Sequence, residues 1–296
     1  MFISKPQMDI HNSIQEIDWP VYRNNMIDFL AHAKRKSQIA GNWEIDITLA
    51  HTRIKEIQRR TRIAISFNAY LIFLLSRTIS MYPAVQAVRV PWRRKMAIFE
   101  GVDVGTVVEQ RLPDKTPIPL PYTVRNAESK SLAEICFEMR QASKCDLIHH
   151  DPGIRWRAKL AYFPGWIRQL VWYWVDLDPA RRRRFRGTFG ITNLNFLTHG
   201  RTPGFGHILT ILSSALCVGS SYDRLVPSDQ DSRGFVVRKH LCCTLAADHL
   251  VIDGAPILRF SRAFTEALEN AEGLDEQFVE ALIAQYQKND MRRRNH

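Results

Sequence analysis

Residues 241–247, LCCTLAA, constrain the chain more than any other stretch. An apolar run without polar alternation reads as a strand covered on both faces, so the fold must place material on either side of it. Polarity returns abruptly at Asp248-His249, and Asp253-Gly254 then marks a turn. A glycine there permits a backbone conformation that other residues resist. From about Ala255 a helix is expected, with Phe260, Phe264, Ala267 and Leu268 on one face, packing back onto the sheet. An imidazole at such a strand–helix junction can project into a cleft. From this spacing alone, a histidine that merely fills the core or caps the helix is the competing reading.

The rest of the 296 residues supplies layers for that strand. A helix is expected over about Val21–Lys36, a strand over Trp43–Ala50, and a short basic helix capped by Thr52. Residues 68–82 are apolar nearly all round and stop at Pro83, which predicts a buried core helix. The strand candidates VQAVRV, KMAIFEG and VGTVVE follow, then the proline-rich extended segment LPDKTPIPLPYTV. Ser131 and Glu134 have capping-box spacing at the start of SLAEICFEMRQAS. GTFGITNL, HILTILSSALCVG and FVVRKHLCCTLAADH are strand-like, and helices are expected at about 255–270 and 275–288 before a basic tail. Strands and helices that do not alternate regularly predict an α+β fold with a mixed or antiparallel sheet.

The formal charge of +11 suits an anionic partner: nucleic acid, anionic lipid or a phosphorylated substrate. No zinc-type Cys/His spacing or aromatic RNA-binding signature accompanies it, so nucleic acid is not expected. The five cysteines are odd in number, and three lie in apolar runs, which predicts reduced thiols and a cytoplasmic protein. Neither a secretory signal nor a membrane-spanning stretch is read.

Residues 144–186 form an unusual block with four of the seven tryptophans, Trp156, Trp166, Trp172 and Trp174, among many arginines. Three readings stay open: a helical insertion, a lid over a hydrophobic pocket with Trp166 and Trp172 against the substrate, or an element at a membrane surface. Pro164-Gly165 should break it into two short amphipathic pieces. The adjacent His149-His150 pair is read as solvated, and no metal is expected.

The segment ADHLVIDGAPILRF resembles the active-site segment of the dihydrolipoamide acyltransferases of 2-oxoacid dehydrogenase complexes, and is similar to chloramphenicol acetyltransferase, with its H-x-x-x-D-G pattern. GTFGITNL resembles that family's G-T-F-T-I-S-N-L strand, SALCVGSSYDRLVPSD its following strand and turn, and KSLAEICFEMRQAS and WEIDITLAHTRIKEIQRR its earlier elements, all in the family's order. Peptide-synthetase condensation domains, with a doubled histidine where this chain has Asp248-His249, are a weaker resemblance.

The resemblance implies a chloramphenicol-acetyltransferase-like, two-layer α+β fold with a mixed sheet and packed helices. It also implies acyl transfer from coenzyme A or another thioester to a small-molecule or lipid-like acceptor. In its terms His249 is the general base, Thr192 supplies the hydroxyl that the family's serine offers to the oxyanion, and Asp253 ties down the loop. Gly254 and Asn193 would lie beside the substrate. Family members are homotrimers with active sites between subunits.

The implied organisation is an N-terminal helical arm over 1–40, a catalytic domain over 41–272 with its insertion at 144–186, and a C-terminal helix and tail over 273–296. No lipoyl domain is read, and Lys115 is read as part of a turn, so no covalently bound lipoate is expected. The sequence departs from the family at Asn195, where glycine is usual, and at the Ile-Thr-type sequence before SALCVG. A non-catalytic trimeric scaffold and a membrane-surface protein remain alternatives.

Overall fold

The computed structural model describes residues 15–16, 18–90, 93–111, 117–147, 151–194, 202–228 and 234–294. Its centre is a six-stranded mixed sheet in the order β1 (Gln38–Asp46), β8 (Phe235–Asp248), β7 (Ser214–Pro227), β6 (Phe189–Asn193), β4 (Val104–Arg111), β5 (Pro117–Val124). β6 runs parallel to both β4 and β7, and the other pairings are antiparallel. The apolar run of β8 lies between β1 and β7 and is buried from Leu241 to Asp248, as its composition demands. β5 carries three prolines, which cannot donate to a ladder, and accordingly occupies the sheet edge. A small hairpin pairs β2 (Val88–Val90) with β3 (Lys95–Ala97).

One face of the sheet packs on helices. In α3 (Phe67–Met81), Leu71, Ile72, Leu75 and Ile79 are fully buried, and the Ser66 hydroxyl accepts the Ala69 N–H at its start. α4 (Leu132–Lys144) opens with the expected capping box. α8 (Gly254–Glu269) buries Phe260, Phe264, Ala267 and Leu268, the face read from sequence, and Phe260 meets Phe189 of β6. α2 (Thr48–Thr61) and α9 (Glu276–Arg294) complete this layer, and Phe278 and Leu282 of α9 join the main core.

Two boundaries differ from expectation. β1 ends at Asp46, whose carboxylate accepts the Thr48 N–H at 2.8 Å and so starts α2 four residues early. Thr52 therefore sits inside the helix, its hydroxyl donating to Thr48 O, and caps nothing. β7 begins only at Ser214, because Thr210 is tied sideways to the Gln38 amide through both its N–H and its carbonyl.

The tryptophan-rich block folds into three helices, not two: α5 (Pro152–Leu160), α6 (Gly165–Asp176) and α7 (Pro179–Arg186). Pro164-Gly165 makes the expected first break. Asp178-Pro179 makes the second, with the Asp178 carboxylate capping α7. These helices build a separate small core from Leu160, Trp172 and Val175, edged by Trp156, Val171 and Phe185. They are pinned to α1 (Arg23–Ala33) by a buried ion pair, Arg168 Nε to Asp28 Oδ2 at 2.8 Å, and by His32 Nδ1 at 3.3 Å from Asp176. Arg183 and Arg125 join α7 to Asp103 at the start of β4. Gly187 then leads into β6 at φ +82°, where a Cβ would stand 2.7 Å from Asp103 O, so only glycine fits. No helix among the described residues is long and apolar enough to cross a membrane.

Candidate active site

His249 follows the last residue of β8, half-exposed at the mouth of the turn into α8. Its Nδ1 lies 3.0 Å from Ile252 O. A carbonyl only accepts, so the hydrogen bond places the proton on Nδ1 and leaves the Nε2 lone pair free. That is the tautomer a general base needs. The backbone of the turn is held at both ends: His249 N–H donates to Ser37 O at 2.8 Å, and Val251 and Ile252 N–H both donate to Asp248 O.

Asp248 supplies the rest of the support. Its side chain is almost fully buried, and an ionised carboxylate there needs a partner. Lys36 Nζ provides one at 3.0 Å from Oδ2, and Leu250 N–H reaches Oδ1 at 3.3 Å. Burial pushes the Lys36 ammonium below its ordinary pKa, with the Asp248 carboxylate opposing that shift. Lys36 and Ser37 thus bind the end of α1 to the end of β8.

Asp253 was expected to tie down the loop. Its side chain is 89% exposed, makes no cap bond to α8 and lies 4.0 Å from His249 Nδ1, the outer limit of an ion pair. The loop is tied down by Asp248 instead. Gly254 also departs from expectation: it is the first residue of α8, has no positive φ, and a Cβ on it would meet nothing within 4 Å. The backbone of this chain does not require glycine there.

Thr192 and Asn193 lie on β6, two strands away. Phe189 and Ile191 alternate into the main core, so Thr192 points to the opposite face, where Cys217 is its partner on β7 and Thr244 is in turn the partner of Cys217 on β8. His249 is five residues beyond Thr244. At about 3.3 Å per residue and about 4.8 Å per strand, the two side chains stand roughly 16 Å apart along the sheet and 10 Å across it. Within one chain they do not meet. Cys217, next to Thr192, is no substitute nucleophile, since burial pushes its thiol up to about 11.

The two tryptophans placed against the substrate separate. Trp172 is buried in the insertion's own core against Trp156, so it lines no open site, which corrects that expectation. Trp166 is 67% exposed on the outer side of α6. Lys115, His149, His150 and Asn195 lie outside the described residues. Among the described residues no group of three or more metal-ligating side chains assembles.

Sequence reasoning missed Lys36, Ser37 and Asp248 as the frame of His249. The available signal was an aspartate closing an otherwise apolar buried strand. Its partner, 212 positions away, leaves no trace in spacing.

Comparison with known proteins places a family match on this part of the chain. Residues 184–275, which hold Thr192 and His249, match the family described as 2-oxoacid dehydrogenases acyltransferase (catalytic domain). Over 84 residues, 28% of the chain, it is 37% identical to the dihydrolipoyllysine-residue acetyltransferase component of the mitochondrial pyruvate dehydrogenase complex of Schizosaccharomyces pombe. The match spans 17% of that curated relative's length. Among solved structures, a probable dihydrolipoamide acetyltransferase from Listeria monocytogenes superposes with TM-score 0.62 at 16% identity, over 88% of this chain and 96% of that one. The cubic core of a pyruvate dehydrogenase multienzyme complex superposes with TM-score 0.63 at 18% identity, over 92% and 99%. The fold is that of these acyltransferase cores.

Proposed function

We propose that the chain is an acyltransferase that moves an acyl group between coenzyme A and a small acceptor, with His249 as general base. The observation that carries this reading is the 3.0 Å contact of His249 Nδ1 with Ile252 O, which turns Nε2 outward as the candidate base at a half-exposed strand end inside the region that matches the acyltransferase family.

In the proposed reaction, Nε2 takes the proton of the acceptor thiol or hydroxyl as its sulfur or oxygen attacks the thioester carbonyl. The tetrahedral oxyanion accepts a hydrogen bond from the Thr192 hydroxyl. Collapse breaks the carbon–sulfur bond, and the departing coenzyme A thiolate recovers the proton from the imidazolium. Thr192 and His249 stand too far apart in one chain to share that intermediate, which favours a site assembled from two subunits. A homotrimer is the assembly we propose, because a cubic core carries threefold axes through its corners.

The proposed acceptor is a small molecule or a lipid-like compound bearing a thiol or hydroxyl. Dihydrolipoamide, the acceptor in the relatives' names, is the reference compound. The excess of basic residues suits the phosphates of coenzyme A. The described cysteines are free thiols, which supports a reducing, cytoplasmic setting.

The test is release of coenzyme A thiol from a panel of acyl-coenzyme A thioesters, with dihydrolipoamide and with cell-extract metabolites as acceptors. Turnover by the wild-type chain that disappears in His249→Ala supports the proposal. Wild-type protein that stays trimeric and releases nothing with any acyl donor points to a non-catalytic scaffold.

A further inference from the structure

The tryptophan block was left with three readings, and its packing discriminates among them. Only one side of α6 faces the protein: Arg168, Trp172 and Val175 turn inward. Trp166, Leu170, Tyr173 and Trp174 recur at 3.6-residue spacing on the outward side and are all exposed, Trp166 to 67% and Trp174 to 52%. Tyr162 and Phe163, in the turn just before α6, extend the same exposed run, Tyr162 to 77%. Six large apolar side chains within 13 residues are thus presented to water by ordered helices (162 to 174). Isolated exposed apolar residues need no explanation, but a stripe of this kind marks a contact surface.

The charge around the stripe says what kind of contact. From Pro152 to Val175 there is no aspartate or glutamate; Arg168 is buried against Asp28, while Arg155 and Lys159 are exposed. Arg155 and Lys159 are exposed before the stripe and Arg184 beyond it, and among the described residues none of the three has an acidic partner. Arg181 stacks on the ring of Trp174, with its Cζ 4.2 Å from the ring centroid, while pairing with Asp178 at 3.2 Å. Four nearby acids are consumed internally: Asp28 by Arg168, Asp176 by Arg182 and Arg186, Asp178 by Arg181, and Asp151 by the N-terminus of α5.

We propose that this face of α6 is a docking surface for an anionic lipid bilayer. Tryptophan and tyrosine side chains suit the boundary between headgroups and acyl chains, and arginine and lysine reach the phosphates. A second copy related by a twofold axis fits less well, because it would bring an equally cationic surface against this one. α6 is too short to span a bilayer, so it lies in the interface plane. The docked helix is joined to the catalytic end of β8, since Asp176 reaches His32 of α1, and the segment after α1 holds Asp248 and His249 through Lys36 and Ser37.

The experiment is co-sedimentation of the full-length chain with sucrose-loaded vesicles of phosphatidylcholine, with and without about one-third phosphatidylglycerol. A triple variant, Trp166→Ser, Leu170→Ser and Trp174→Ser, is compared alongside, with its fold checked by circular dichroism and its mass by light scattering. The exposed positions should tolerate serine. The expected result is binding to the anionic vesicles that weakens with salt, falls at least about tenfold in the triple variant, and is accompanied by quenching of wild-type tryptophan fluorescence by spin-labelled lipid. Absence of vesicle binding, or equal binding by the folded triple variant, overturns the proposal. A triple variant that drops to a smaller oligomer overturns it in favour of a contact between copies. Vesicle binding requires no turnover, so its outcome is independent of the acyl-transfer reading.

Discussion

Lys36→Met removes the cation from the pair that braces His249. Lys36 and Asp248 are 3.0 Å apart, with side chains 16% and 7% exposed, so the variant leaves a buried carboxylate supported mainly by Leu250 N–H. Removing one partner of a fully buried pair costs about 3–5 kcal/mol. The residual exposure of Lys36 scales this to about 2–4 kcal/mol, since partly hydrated charges are better screened. For a chain of this size that is a fall in Tm of about 4–8 °C by differential scanning fluorimetry. Because burial already depresses the Lys36 pKa, replacing both charges should be far less costly than replacing one. Lys36→Met combined with Asp248→Leu should recover to within about 1 kcal/mol of wild type. Turnover should fall more steeply than stability, as His249 hangs from Ser37, the next residue, and a displacement of about 1 Å can cost about a hundredfold. We expect kcat to fall at least about tenfold with KM for acyl-coenzyme A little changed. A Lys36→Met protein that melts within about 1 °C of wild type and keeps its kcat refutes the bracing role.

Other perturbations separate the remaining roles. His249→Ala should lower kcat by about a hundredfold to ten-thousandfold while leaving the melting curve nearly unchanged, because the side chain is half-exposed and makes one hydrogen bond. Asp253→Asn, at an 89% exposed position, should alter stability by less than about 0.5 kcal/mol by chemical denaturation, and a larger loss would mean that its carboxylate holds the loop after all. Asp176 is buried, which works against ionisation, but His32, Arg186 and Arg182 outweigh that and hold its carboxyl below the ordinary carboxylate range. In a folded-state group with a depressed pKa, the unfolded chain binds the proton first, so the stabilisation is complete above about pH 4 and is lost as pH falls through the native value. Asp176→Asn should therefore flatten the acid arm of the stability–pH profile, and an unchanged slope below about pH 4 contradicts this.

Local physics made much of the fold legible. The seven-residue apolar run had to be an inner strand, the 3.6-residue recurrence of Phe260, Phe264, Ala267 and Leu268 fixed the buried face of α8, and Ser131 with Glu134 marked a helix start. The start of α2 was misread because Thr52 has the residue type of a cap in sequence, and only the Asp46 carboxylate, presented at the end of β1 to the Thr48 N–H, places the start earlier. Long-range pairing was illegible for a different reason. Arg168 and Asp28 are 140 residues apart, and nothing local distinguishes Arg168 from the other arginines of its block. The same limit hid the inward turn of Trp172 and the outward turn of Trp166, since both occur in one apolar helix whose faces are chosen by α1 and α5. At the site, His249 stood out because it interrupts a pattern, whereas Lys36 and Ser37 interrupt none.

The most direct test of the account is subunit complementation. His249→Ala and Thr192→Ala should each be inactive, the second by about a hundredfold or more through loss of the oxyanion donor. When the two are unfolded, mixed in equal amounts and refolded together, random trimers in which each site takes its histidine from one subunit and its hydroxyl from the next should recover about one quarter of wild-type turnover. Mixed trimers, verified by mass after exchange, that stay as inactive as either parent would contradict a shared site built on Thr192 and His249.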